Sequence, residues 1–233
     1  LADEYLVYRD THLKIEGSAA QHIQYSFIKD WYWATGQIVP ISLQIAPCET
    51  ADQAVAIVNT GPADVVANCS ILFSSLVSSA RSRLWITSPY FVPDDVMVRV
   101  LQAAALRGVD VRIILPDKPD QLLVALASYT YYDDMLKSGV RMFRYRERFM
   151  HQKVILVDDL VAGIGTVNLD NRSLYLNFEA TALVADDDFI KQVEGMLTED
   201  LASSTAVECR HFYDKPLYVR VAANIARLAS PLL

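Results

Sequence analysis

Residues 151–168 read HQKVILVDDLVAGIGTVN, two apolar runs rich in β-branched residues on either side of Asp158-Asp159. Short runs of Val, Ile and Leu hinged on two turn-forming aspartates predict a hairpin with arms at 151–157 and 160–164. His151 and Lys153 stand two apart in the first arm, so a strand would point both side chains to one face. Asp158 closes that arm. After six intervening residues comes Gly165-Thr166-Val167-Asn168, where small residues allow a close backbone approach and a hydroxyl and an amide offer uncharged donors. Glu179 follows eleven residues beyond Asn168. A nucleophilic or acid/base imidazole, a fixed ammonium, neutral donors and an orienting carboxylate suit phosphoryl transfer in which no metal stabilises the charge.

Outward from this hairpin the periods alternate. Upstream, 13–16 predicts a short strand. Ile23, Phe27, Ile28 and Trp31 mark a helix over 18–34 that Gly36 ends. The text from 37 to 60 is mixed and punctuated by Pro40 and Pro47, which predicts a crossover between two units. Then come a helix capped by Asp64 with Val65, Cys69, Leu72, Leu76 and Ala80 on one face, a strand at 84–87, and a helix opened by Pro93 and Asp94 that stops at Gly108. A β-branched strand at 109–115, a helix over 119–137 stopped at Gly139, and a strand at 140–145 lead back to the hairpin. Beyond it lie a strand at 178–184 and a helix over 187–202. The fold class is α/β, a mixed sheet flanked by helices.

Composition sets outer limits. With 52% apolar residues the chain is no disordered polymer, and 233 residues amount to one large domain or a domain plus a fragment. A net charge of -7 with scattered Lys and Arg argues against nucleic acid as a partner. Cys48, Cys69 and Cys209 form neither a disulfide framework nor a zinc spacing, and a reducing, cytosolic setting suits them. Apolar runs stop well short of the roughly 18 residues of a membrane span, and no signal peptide is visible. The start on Leu1 suggests a piece of a longer polypeptide whose upstream part could hold membrane segments. His12, His22 and His211 carry no supporting cluster. Trp31, Trp33 and Trp85 read first as packing and second as lipid-interface anchors.

The pattern H-x-K-x4-D-x6-G-T-x-N resembles the signature of the phospholipase D superfamily at every position, with Thr in the Ser/Thr slot. Six specified positions at roughly one-in-twenty usage each arise by chance in about 10^-8 of starting points. Trp85 to Asp94 (WITSPYFVPD), Asn168 to Ser173 (NLDNRS), Leu176 to Glu179 (LNFE) and the ending ARLASPLL resemble bacterial cardiolipin synthases. So do Ala2-Asp3-Glu4-Tyr5 and Arg9-Asp10-Thr11-His12, which in that family follow a first copy of the motif. That first copy is absent here: His12-Leu13-Lys14 has Ala19 where its Asp would stand.

The resemblance implies one half of a pseudo-twofold, two-half enzyme. Residues 1–37 would be the remnant of the first half, 38–60 a linker and 61–233 the second half. In-line displacement needs a nucleophile on one side of phosphorus and a leaving-group acid on the other, so one histidine cannot serve both places. By resemblance His151 is the general acid/base, Lys153, Thr166 and Asn168 hold the phosphate, and no metal or cofactor is implied. Asp158 either belongs to the catalytic set or is only a turn residue. Tyr90 and Phe91 are core or pocket wall. Asp10 would orient His151, and Glu179 the absent first histidine. The implied activity makes cardiolipin from phosphatidylglycerol through a phosphohistidine, against two rivals: a phospholipase D or phosphodiesterase hydrolase, and a non-catalytic fragment that needs the missing half. A nuclease ranks third. Implied partners are phosphatidylglycerol or another phospholipid, the missing half or a homodimer mate, and the cytoplasmic side of a membrane surface.

Overall fold

In the computed structural model, which describes residues 8–41, 52–208 and 214–233, the chain begins β1 (Tyr8–Arg9), α1 (Ala19–Thr35), β2 (Ala54–Thr60), α2 (Asn68–Ser79), β3 (Arg83–Thr87), β4 (Phe91–Val92), α3 (Asp95–Leu106) and β5 (Asp110–Pro116). It continues α4 (Leu122–Lys137), β6 (Arg141–Tyr145), β7 (Phe149–Met150), β8 (Val154–Val157), β9 (Val161–Gly165), β10 (Leu169–Asp170) and α5 (Asn171–Tyr175). The last elements are β11 (Glu179–Ala185), α6 (Asp187–Ala202), β12 (Ser204–Ala206), α7 (Leu217–Arg227) and a 3-10 turn, Ser230–Leu232.

Eight strands form one mixed sheet in the order β12-β6-β5-β3-β8-β9-β11-β2. β3, β5 and β6 run parallel, with α3 and α4 as crossovers. From β3 outward through β8, β9, β11 and β2 every pairing is antiparallel. Both faces are covered, which explains why the central strands are continuously apolar instead of alternating. Leu84, Ile86, Val111, Ile113, Ile155 and Val157 pack under α2, α3 and α4. Trp85, Val154 and Leu156 pack under Ile190, Val193 and Leu197 of α6. All four residues of β8 are buried, and each such side chain contributes about 1.5–3 kcal/mol of apolar burial. The strand that follows the His-x-Lys pair is thus held from both sides.

Most predicted elements form within a few residues of their expected bounds, and α6 covers 187–202 as predicted. Asp94 caps α3 by accepting from the Met97 amide at 2.6 Å. Gly36 ends α1 in the left-handed region at φ 70°, its amide donating to the Tyr32 carbonyl at 2.8 Å. Four expectations change. Residues 13–16 are irregular, because no strand among the described residues lies alongside to share their hydrogen bonds. The crossover assigned to 38–60 ends early: 54–60 is β2, the sheet edge, paired residue for residue with β11. Pro40 and Pro47 both lie upstream of it, and the run Val55-Ala56-Ile57-Val58 carries the strand signal. Asp64 does not cap α2. Its carboxylate accepts from the Gly61 amide at 3.1 Å in the turn before it, and α2 begins at Asn68, so Val65 stays outside the buried face of Cys69, Phe73 and Val77. Finally, His151 and Lys153 lie in the irregular link between β7 and β8, not within a strand.

Two short parallel pairs, β1 with β7 and β4 with β10, stand outside the main sheet. The first brings residues 8–11 to the His-x-Lys link. The second ties the loop after β3 to the Gly-Thr-x-Asn turn, with the Leu169 amide donating to Ser88 Oγ at 3.0 Å.

Candidate active site

The link before β8 is fixed by a polar clamp. The His151 amide donates to the Arg9 carbonyl at 2.9 Å, extending the β1–β7 pairing by one step. Arg9 reaches across to α6, donating from Nε and Nη2 to the two oxygens of Asp200 at 2.8 and 3.1 Å. Buried Gln152 donates to Asp200 Oδ2 at 2.6 Å and accepts from Thr11 Oγ1 at 2.6 Å. A bidentate guanidinium on a buried carboxylate is a strong, directional tie, so segment 8–11 is held against the link although its own strand is two residues long.

That tie places Asp10 beside His151, with Oδ2 3.0 Å from Nδ1. Lys153 Nζ lies 2.9 Å from His151 Nε2 and donates to the His151 carbonyl at 2.5 Å. An ammonium has only donors, so one tautomer satisfies both contacts: Nδ1 carries the proton and donates to Asp10, while Nε2 accepts. Burial alone would raise the Asp10 carboxyl. Hydrogen bonds from the His151 ring and the Thr11 amide, and the charge of Lys153, outweigh it and hold Asp10 below the usual carboxylate value. Burial pushes the Lys153 ammonium down, against the opposing field of Asp10, Glu179, Asp170 and Asp120.

The facing wall is the start of β11 and the end of β9. The Gly165 amide donates to the Lys153 carbonyl at 3.2 Å. A Cβ on Gly165 would strike the Ala180 carbonyl and the Thr181 side chain, so this glycine answers to strand packing and not only to ligand approach. Thr166 Oγ1 donates to Glu179 Oε2 and accepts from the Ala180 amide at 2.9 Å. Glu179, buried, also accepts from Asn177 Nδ2 at 3.1 Å and has no histidine partner among the described residues. Asn168 Oδ1 is buried with no hydrogen-bond partner among the described residues, which leaves it a polar group unused by the fold. Between the walls lies a cavity of about 550 Å³ lined by Asp10, His151, Lys153, Thr166, Asn168 and Glu179, among others.

Three predicted site residues stand elsewhere. Asp158 is at the far end of β8 from Lys153, where its carboxylate accepts from the amides of Arg81, Ser82 and Arg83 and from Ser82 Oγ, at 2.8–2.9 Å. Burial would raise it, but these hydrogen bonds hold it low. With φ at 51° it is a hairpin-turn residue. Tyr90 turns away from the cavity and donates its hydroxyl to Asp120 at 2.8 Å. Phe91 is core, edge-on to Tyr131. Period and spacing could not place Tyr90 or Phe91, because a strand end gives no sign of which side its loop folds to. Arg9, Gln152, Asp200 and Asn177 went unforeseen. Only the polar Gln152 between His151 and Lys153, at a position that faces the protein interior, carries a hint.

The mixed sheet with its helices on both faces and the His-x-Lys link leading into its central strand β8 define a phospholipase D-like domain. Residues 73–201 match the family model described as the cardiolipin synthase phospholipase D-like domain, and the chain belongs to that family. In an alignment of 240 positions that takes in the whole of this chain, it is 44% identical to cardiolipin synthase A of Pseudomonas putida. The chain spans about half (50%) of that relative's length. Two solved structures share the fold at low identity. Phosphatidylserine synthase of Haemophilus influenzae Rd KW20 superposes with a TM-score of 0.66 at 16% identity, over 91% of this chain and 54% of that one. The phospholipase D family member Nuc from Salmonella typhimurium gives 0.57 at 18%, over 67% and 99%.

Proposed function

We propose that this chain is the second catalytic half of a phosphatidyltransferase that joins two phosphatidylglycerol molecules into cardiolipin and releases glycerol. The observation that carries the proposal is the line Asp10–His151–Lys153 at the mouth of the cavity, in a chain of the cardiolipin synthase domain family. A histidine from the other half, or from a second copy of this chain, attacks phosphorus. The bond to the glycerol oxygen breaks and His151, which takes up a proton from water at Nε2 once Lys153 has moved to the phosphate, protonates that oxygen. The hydroxyl of the second phosphatidylglycerol then attacks the phosphohistidine, His151 takes its proton, and the P–N bond breaks. Asp10 keeps the ring oriented throughout. Lys153, the side-chain N–H of Asn168 and the Thr166 hydroxyl, once it turns from Glu179, suit the non-bridging phosphate oxygens, and Lys153 leaves Nε2 for phosphate when substrate enters.

Residues 8–35 belong on this reading to the end of a preceding unit, since β1 pairs with β7 at the site while α1 buries none of its side chains. No helix among the described residues is long and apolar enough to cross a membrane. The enzyme works on lipid at a membrane surface, on its cytoplasmic side.

The test is a product assay with labelled phosphatidylglycerol, run on this chain alone and on the chain with its upstream half restored. Cardiolipin plus glycerol from the restored protein is the expected result. Phosphatidic acid in its place would make the protein a hydrolase, and equal activity of the lone chain would remove the need for a second half.

A further inference from the structure

Surface helices of globular proteins turn their apolar stripe inward, and α7 does the reverse. Only the small residues Ala223 and Ala226 are buried against the protein. At 100° per residue, Leu217, Tyr218, Val221, Ile225 and Leu228 fall within an arc of about 100°, nearly opposite those alanines. This stripe is open to solvent: Leu217 is 72% exposed, Tyr218 75%, Ile225 63% and Leu228 82%. Leu232, in the following 3-10 turn, extends it at 70%. A run of large apolar side chains this continuous marks a docking surface.

Charge says what it docks on. Three of the 21 basic residues and none of the 28 acidic ones fall in 215–233, so +3 sits on this segment of a chain whose total is -7. Arg220 and Arg227 lie on one flank of the stripe. The Arg227 guanidinium sits over the Tyr131 ring at 4.6 Å and Lys215 Nζ over Tyr129 at 5.2 Å, both on α4. The bases therefore stand at the root of the helix and the apolar side chains at its crest, the layering of a helix lying in a lipid interface. The stripe also ends beside the candidate site. Asn171 Nδ2 donates to the Ser230 carbonyl at 2.8 Å and the Arg172 amide to the Leu233 carbonyl at 3.0 Å, three and four residues after Asn168.

We propose that the outward face of α7 docks on a bilayer surface carrying anionic headgroups, and so brings the Asn168 wall of the cavity to the lipid. The inference builds on the phosphatidyltransferase reading only in the use of that lipid, and it is tested without turnover. The experiment is flotation of the full chain with phosphatidylcholine vesicles prepared with and without phosphatidylglycerol. The parent chain should float with the anionic vesicles and lose them as salt rises. Ile225→Glu and Val221→Glu should each lower the bound fraction on the order of tenfold or more, with the circular dichroism and melting of the parent. Leu228→Glu, further along the same stripe, guards against a single variant that fails to fold. Lys153→Ala should float like the parent, so loss of catalysis and loss of docking separate. Failure of the parent chain to bind anionic vesicles overturns the proposal. So does undiminished binding by all three stripe variants. If those variants instead abolish self-association by light scattering while vesicle binding persists, the face is a protein interface and the proposal is wrong.

Discussion

Residues 10–35 and 179–202 follow one local plan: a carboxylate at the start, a short connection, then a helix with apolar residues at helical spacing. The second copy is complete. Glu179 opens β11, which lies inside the eight-stranded sheet, and α6 sets Ile190, Val193 and Leu197 onto that sheet. In the first copy α1 carries Ile23, Phe27 and Trp31 on one stripe, all exposed. The carboxylates differ too, for Asp10 bonds His151 while Glu179 bonds Thr166 and Asn177 and, among the described residues, no histidine. A helical period states that a face needs covering, and not what covers it. Asp10 meets His151 from 141 positions away in the chain, so a stretch whose helix leaves its apolar stripe uncovered still contributes a carboxylate to the cavity.

The largest effect expected concerns Lys153, the cation that feels both carboxylates. In the protein with its upstream half restored, Lys153→Ala should lower turnover by about two to four orders of magnitude, with an unchanged circular dichroism spectrum. Turnover within a factor of about three of the parent would take Lys153 out of the site.

The two helices then give a direct contrast in stability. Leu197→Ala, in the fully covered face of α6, should cost about 3 kcal/mol in urea unfolding of this chain, the usual toll of a core cavity. Phe27→Ala on the α1 stripe should stay within about 0.5 kcal/mol. A comparable loss at Phe27 would show that α1 is already covered in solution and would break the comparison.

Next come the carboxylates. Asp10→Asn in the restored protein should lower turnover on the order of tenfold to a hundredfold with little change in KM, because it disturbs ring orientation and not lipid binding. Equal activity would leave Asp10 a structural residue. In the lone chain, Glu179→Gln should leave the accessibility of His151 to diethylpyrocarbonate unchanged while Asp10→Asn raises it. The opposite order would reverse the pairing of carboxylate and histidine.

The smallest effect is in acid. Asp10 and Asp158 both sit below the usual carboxylate value of 3.8 when folded. Groups depressed by folding contribute stability that is present above the unfolded value and lost as pH falls through the folded one. Stability should therefore decline below about pH 4. Asp158→Asn keeps a residue tolerant of positive φ but removes the charge. It should cost about 1 kcal/mol near neutral pH, discounted for a partly exposed group, and flatten part of the acid limb with turnover unchanged. A large loss of turnover at unchanged stability would return Asp158 to the catalytic set.

The hairpin, α6 and the pairing of His151 with Lys153 were legible because each depends on local rules: turn residues, caps and period. Even there the reason differed, since His151 and Lys153 meet across an irregular link and not along a strand. Asp158 shows the reverse case. Its spacing from Lys153 matches the motif, yet four hydrogen bonds from 81–83 use up its carboxylate, and those donors are more than seventy residues away in the chain.

By itself the sequence determined the α/β class, the family pattern and the residues able to carry the chemistry, because side-chain type and periodicity are properties of neighbours along the chain. Tertiary structure alone decided that Arg9, Gln152 and Asp200 clamp Asp10 onto His151, that Tyr90 and Phe91 face away from the cavity, and that α7 turns its apolar side outward. These depend on which surfaces meet, and contact between residues 141 or 191 positions apart is set by packing of the whole sheet and its helices, which no local period encodes.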